Sequence, residues 1–164
     1  MQLLTVGNGG SKHTDIQEKV DKFNDNPTLT EQIAIAEDDF TSYEQVGYLM
    51  ADAMRASAKT DIALINPGGV RIDHLAKGNV SVLDVYSMDA FGNETVLFRL
   101  TGPEIKAMLT SAFQIDEFAP IYPSGMKSRY TLADDGNAKD IQLFTSDGTP
   151  LDMTKTYTVA MNSY

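Results

Sequence analysis

The sequence contains no cysteine. A disulfide scaffold, a thiolate metal site and a cysteine nucleophile are therefore excluded. The absence assigns no compartment and is compatible with an oxidising one. Histidine is almost as scarce, with His13 and His74 as the whole supply. Imidazole is the commonest metal ligand and general base, so a multi-histidine metal centre within one chain is excluded too. No apolar run reaches the roughly 18 residues that mark a membrane-spanning helix. Residues 1–6 lack the length and the basic start of a signal peptide. Basic side chains are outnumbered, 13 Lys and Arg against 23 Asp and Glu, for a net charge of −10. Such a charge argues against nucleic acid or an anionic membrane as the main partner. Solubility is a sufficient reason for it.

What is present fits one globular domain. The 164 residues are 42% apolar and 22% charged, enough to build a core. Residues 1–10 end in Gly7-Asn8-Gly9-Gly10 and read as a leader or linker; no Lys-Ser/Thr follows to make a phosphate loop. A short helix is predicted over 14–23, with Ile16, Val20 and Phe23 on one face. A short strand is predicted over 32–36. Ser42 and Gln45 form a capping-box pair ahead of a helix over 43–57, whose expected stripe is Tyr43, Val46, Met50, Ala53 and Met54. Residues 61–65 are nearly all apolar, as in a strand buried on both faces. Residues 79–86 are ambiguous between strand and helix. A strand over 95–100 leads through Thr101-Gly102-Pro103-Glu104 into another capped helix. Residues 114–125 read as a loop. A hairpin over 128–133 and 139–144, and a last strand over 157–161, follow. Strands and helices mixed in this way predict an α+β fold, a single domain with a mixed β-sheet and packed helices. The ending at Tyr164, directly after a strong strand, reads as a truncation.

The densest chemical signal lies where the buried strand stops. Asn66, Gly68, Gly69 and Arg71 are delivered to one place. The glycines let a ligand approach the backbone, and the arginine offers a planar fork of N–H donors. A tight turn with a surface arginine explains the same spacing equally well. Phe91, beside Gly92 and Asn93, could present a ring to solvent or plug the core. Tyr164 poses the same choice. Other features are set aside. Residues 134–137 lack the ligand spacing of a calcium loop. The acidic run 37–39 reads as a solvated loop, and His74 as a surface residue. No serine sits in a nucleophile elbow. Met50, Met54 and Met108 read as core.

Taken in order, the motifs resemble a known family. They are Glu44-x-x-Gly47-x-Leu49-x-x-Asp52-Ala53, the run Asp61 to Arg71 with Asn66-Pro67-Gly68-Gly69, then Gly78-Asn79-Val80-Ser81, Phe91-Gly92-Asn93 and Leu100-Thr101-Gly102. This series resembles the C-terminal domain of the 5′-nucleotidase / UDP-sugar hydrolase / 2′,3′-cyclic phosphodiesterase family over residues 30–164, leaving 1–29 as leader and short helix. The resemblance implies a nucleotide- or nucleoside-binding domain working with an N-terminal metallophosphoesterase domain of the same polypeptide, which would hold two divalent metal ions. It implies no cofactor in this domain, and a secreted, cell-wall or periplasmic setting. Carried over by position, Asn66, Gly68, Gly69 and Arg71 form one part of the substrate site. Phe91 and Tyr164 would sandwich the base, Asn93 would contact it, and Gly125 would be a loop glycine that approaches it.

Two departures stand out. The family continues after the second aromatic into G-G-D-G-[FY], which this sequence does not reach, and Thr41 stands where an arginine is common. The metal motifs G-N-H-[DE] and D-x-H are absent, so the resemblance places no catalytic residue here and implies no phosphate-ester hydrolysis by this chain alone. A stand-alone nucleoside-binding or scaffolding module is the alternative.

Overall fold

Ser42 starts the longest helix in the computed structural model, which describes residues 13–115 and 120–164. Helix α3 (Tyr43–Ala58) is capped by Ser42 Oγ, which accepts from Gln45 N at 3.2 Å. The return bond lands one residue earlier than expected, with Gln45 Oε1 accepting from Thr41 N at 2.6 Å. The buried stripe also differs from expectation. Val46, Gly47 and Ala51 are buried, flanked by Met50 and Met54, while Tyr43 and Ala53 face out. Gly47 is the cause. A Cβ there would fall 2.1 Å from Tyr122 Cδ2, so the helix lies on the tyrosine ring through its own bare backbone.

The main sheet is four-stranded. It runs β4 (Thr95–Thr101), β8 (Thr156–Asn162), β2 (Ile62–Ile65), β5 (Tyr122–Ser124). β2 lies parallel to β8, and the other pairings are antiparallel, giving the mixed sheet that the sequence predicts. All four residues of β2 are buried. Strand β5 falls inside the segment expected to be a loop. Its Pro123 hides the strand in the sequence, yet β5 is the sheet's edge, where a missing N–H is tolerated.

Helix α5 (Gly102–Ile115) covers one face of the sheet with Ile105 and Leu109. Glu104 Oε2 caps it by accepting from Thr101 N at 2.7 Å. The hairpin of β6 (Met126–Leu132) and β7 (Ala138–Thr145) packs on the same side. Strands β1 (Gln32–Ala36) and β3 (Gly78–Ser81) form a separate antiparallel ribbon. The ambiguous 79–86 segment divides at Ser81: strand β3 ends there and helix α4 (Val82–Met88) begins. Ser81 Oγ accepts from Asp84 N, and Asp84 Oδ2 accepts from Ser81 N at 2.7 Å, a reciprocal cap.

Alternation along β2 separates two cores. Ile62 and Leu64 join Ile105, Leu109, Ile141 and Val159 on one side. Ile65 joins Val46, Ala51, Val70, Val80 and Met88 on the other. Helix α1 (Thr14–Asn24) forms as expected but buries no residue, and Ile16, Val20 and Phe23 are exposed. Helix α2 (Pro27–Thr30) is a single turn capped by Asn26. The proposed leader at 1–10 lies outside the described residues.

Candidate functional site

Parallel pairing of β2 and β8 brings their C-terminal ends together, since Leu64 lies beside Met161. Strand β4 runs the opposite way and starts there, with Thr95 opposite Asn162. Three chain segments therefore meet at one sheet end: Asn66 onward, Asn93-Glu94, and Ser163-Tyr164. Two side-chain bonds tie them. Glu94 N donates to Ser163 Oγ at 3.1 Å, and Asn162 Nδ2 donates to Asn66 Oδ1 at 2.9 Å. Ligands of sheets with parallel strands commonly bind just beyond such ends.

The chain after β2 makes a 3₁₀ turn over Pro67–Gly69. It then passes the end of α4, where Arg71 N donates to Met88 O at 3.0 Å. Asp89 bends the chain leaving α4 by accepting from Phe91 N at 3.1 Å. These two contacts set the Arg71 guanidinium over the Phe91 ring, 5.4 Å from its centroid. The ring remains 54% exposed, so it is a platform rather than a core plug. Tyr164 is 94% exposed.

The fold thus brings Asn66, Gly68, Gly69, Arg71, Phe91, Asn93 and Tyr164 to one end of the sheet. Gly125 is not among them. It follows Ser124, which pairs with Ala63, and so sits at the far end of β2. Its φ is +80°, and a Cβ would stand 2.1 Å from the Asp61 carbonyl oxygen. Close packing accounts for this glycine at its position.

Two contributors escape reading by sequence. Asp89, which turns Phe91 outward, is an ordinary acidic residue until its contact is seen. Asn162, which holds Asn66, lies 96 residues away from it. An Asn at the end of a strand, two residues before an exposed aromatic, is the one signal that points to it.

Two concavities lie elsewhere. A groove of about 830 Å³ between the β1–β3 ribbon and α3 is floored by Phe40, Leu49, Met50 and Val80, with Glu37, Asp38 and Asp39 also lining it. A smaller cleft of about 490 Å³ is lined by Tyr48, Asp52, Ser124, Gly125 and Lys127. In it the buried Ser124 hydroxyl donates to Asp52 Oδ1 and accepts from Arg55 Nε at 2.7 Å. Burial, then the hydrogen bond to Glu44, pushes the Tyr48 hydroxyl up to about 12. Neither concavity is lined by Asn66, Arg71 or Phe91. Among the described residues no group of three or more His, Cys, Asp or Glu side chains is placed to hold a metal ion.

Residues 27–164 match the sequence model of the 5′-nucleotidase, C-terminal domain. The chain is 31% identical over 121 residues to Endonuclease YhcR of Bacillus subtilis, spanning 73% of this chain and 9% of that protein. It is 32% identical over 127 residues to the NAD 5′-nucleotidase of Haemophilus influenzae, spanning 70% of this chain and 21% of that protein. Among solved structures, a 5′-nucleotidase precursor from Thermus thermophilus superposes with a TM-score of 0.72 at 29% identity, over 91% of this chain and 33% of that one. The chain therefore spans between 9% and 21% of the length of these two curated relatives.

Proposed function

The chain belongs to the 5′-nucleotidase C-terminal domain family, and from that membership we propose that it is the nucleoside-recognising part of a nucleotide-hydrolysing phosphoesterase. The observation that carries the reading is the exposed Phe91 ring under the Arg71 guanidinium, in the segment that leads into β4 where the parallel strands β2 and β8 end. A base stacks on the free face of Phe91, and Tyr164 supplies the second ring. Asn66 and Asn93 offer polar contacts. Gly68 and Gly69 leave the backbone open to approach. Arg71 stiffens the platform, a role in keeping with the favourable contact of a cation on a ring face.

Hydrolysis would belong to an N-terminal metallophosphoesterase domain of the same polypeptide, where two divalent metal ions, when bound, would supply an activated water. The part played by this chain is binding and orientation. The Bacillus relative is named an endonuclease, but the net charge of −10 here disfavours grip on a polyanion. A setting outside the cytoplasm, whether extracellular, cell-wall or periplasmic, is the one that membership of this family suggests. Among the described residues no helix is long and apolar enough to cross a membrane.

The test is a titration of adenosine into the isotopically labelled chain. The Phe91 and Arg71 resonances are expected to move at millimolar ligand. Phe91→Ala is expected to weaken binding by about 1–3 kcal/mol, the worth of one stacked ring. Undiminished binding by that variant would overturn the stacking role.

A further inference from the structure

Asn66 is held by more than the end of its strand. Its Oδ1 accepts from Asn162 Nδ2 at 2.9 Å. The same oxygen is walled in by the turn that follows: a Cβ at Gly69 would stand 2.8 Å from it, and 3.4 Å from the Asn162 nitrogen. Gly69 is buried, and its N–H donates to the Asn66 backbone carbonyl at 3.0 Å. The accepting half of the Asn66 amide is thus committed to the protein. The donating half points away. Nδ2 lies 3.6 Å from where a Cβ at Gly68 would be, and Gly68 is exposed. A side-chain amide carries its acceptor and its donors on opposite arms, so engaging one arm decides what the other presents.

We propose that Asn162 is a positioning residue that locks the Asn66 amide so that the site offers its nucleoside a hydrogen-bond donor and not an acceptor. The complementary ligand atom is an acceptor: a ring nitrogen, a ring carbonyl oxygen or a sugar oxygen. This rests on the nucleoside reading above. It adds a rule of selection, because ligands that present only an N–H at this point leave the Asn66 donor buried against another donor. Unpaired polar groups of that kind are what make hydrogen-bonding sites selective. Gly68 and Gly69 then have separate tasks. Gly69 makes room for the amide pair, and Gly68 keeps the donor uncovered.

Substitutions at the two asparagines test the lock, with adenosine as the probe. Asn66→Asp keeps the acceptor that Asn162 needs, replaces the donor by a second acceptor and adds one negative charge. Its adenosine affinity is expected to fall about tenfold, with thermal stability close to that of the parent. Asn162→Asp can only accept, so the Asn66 amide turns round to donate to it and shows the ligand its oxygen. Affinity is expected to fall by about as much, roughly tenfold. The parent's Asn66 side-chain NH₂ resonance moves on adding adenosine, and in Asn162→Asp it does not. A merely structural role for Asn162 would lower stability and leave both the affinity and that resonance shift intact. Parent-like affinity in the two aspartate variants, alongside measurable binding by the parent, overturns the lock and leaves the nucleoside reading standing. If the parent itself binds no adenosine, both fall. Should Asn162→Asp fail to fold, Asn66→Asp decides the matter alone, because it preserves the contact between the two positions.

Discussion

Gly125 and Gly68 look alike in the sequence, each a loop glycine next to a strand, yet their surroundings differ. At Gly125 the backbone is left-handed, and an added methyl would collide with the Asp61 carbonyl. At Gly68 the nearest atom to such a methyl is Asn66 Nδ2 at 3.6 Å, an ordinary contact. Gly125→Ala is therefore expected to cost about 2–4 kcal/mol, from strain and steric displacement together. Gly68→Ala should cost less than about 1 kcal/mol. Urea unfolding of the two variants checks the contrast, and equal losses would refute it. The Arg71–Phe91 contact also belongs to this scale. At an exposed site it contributes about 0.5–1 kcal/mol, enough to bias a ring's orientation and too little to hold a fold together.

At the scale of elements, capping decides what hydrophobic spacing leaves open. Residues 79–86 carry apolar side chains compatible with either period. Ser81 resolves them, because its hydroxyl and the Asp84 carboxylate satisfy backbone groups that a continuing strand would have to pair elsewhere. Ser81→Ala is expected to destabilise the chain by about 1 kcal/mol. Because α4 sets Met88 and Asp89, that variant should also disturb the Phe91 resonance, which an amide spectrum would show. Helix α1 gives the opposite lesson. Its stripe is legible and its form is as expected, but it buries nothing among the described residues. A helix of 11 residues with no packed face has little stability of its own.

Across the whole molecule, the β2–β8 pair is closed by side chains at both ends. At one end stand Asn66 and Asn162. At the other, Asp61 Oδ2 accepts from Thr158 N at 2.8 Å and from Thr158 Oγ1 at 2.9 Å. That backbone N–H is the main reason the Asp61 carboxyl is held below its ordinary value. Asp147 is also held down, at about 2, first by the Thr145 hydroxyl and then by Thr149 N. For both groups the folded-state value lies below the unfolded one, near 3.8. Their stabilisation is therefore complete above about pH 4 and is lost as the pH falls through the folded-state values. Unfolding midpoints should be level from pH 7 down to about pH 5 and drop steeply between about pH 4 and pH 2. Asp147→Asn should flatten the lower part of that drop. Unchanged acid sensitivity in this variant would count against the Asp147 contribution.

The two aromatic positions show how far a single chain can be read. Local grammar was enough for the caps at Ser42 and Thr101, the buried strand ending at Asn66, the hairpin turn at 134–137 and the mixed α+β class, because each depends on neighbours a few residues apart. The ordered motifs were enough to reach the family. Strand β5 stayed hidden, since Pro123 is acceptable only at an edge, and edges exist only once a sheet is assembled. The rotation of α3 stayed hidden because Gly47 matters through Tyr122, a residue of another element. The same holds for the site. Spacing nominated Asn66, Arg71 and Phe91, but whether Phe91 faced solvent or core depended on Asp89 and on where α4 ends. Separating Gly125 from the rest, and giving Asn66 a partner in Asn162, required strand register, which contacts between distant residues determine and short-range preferences cannot encode.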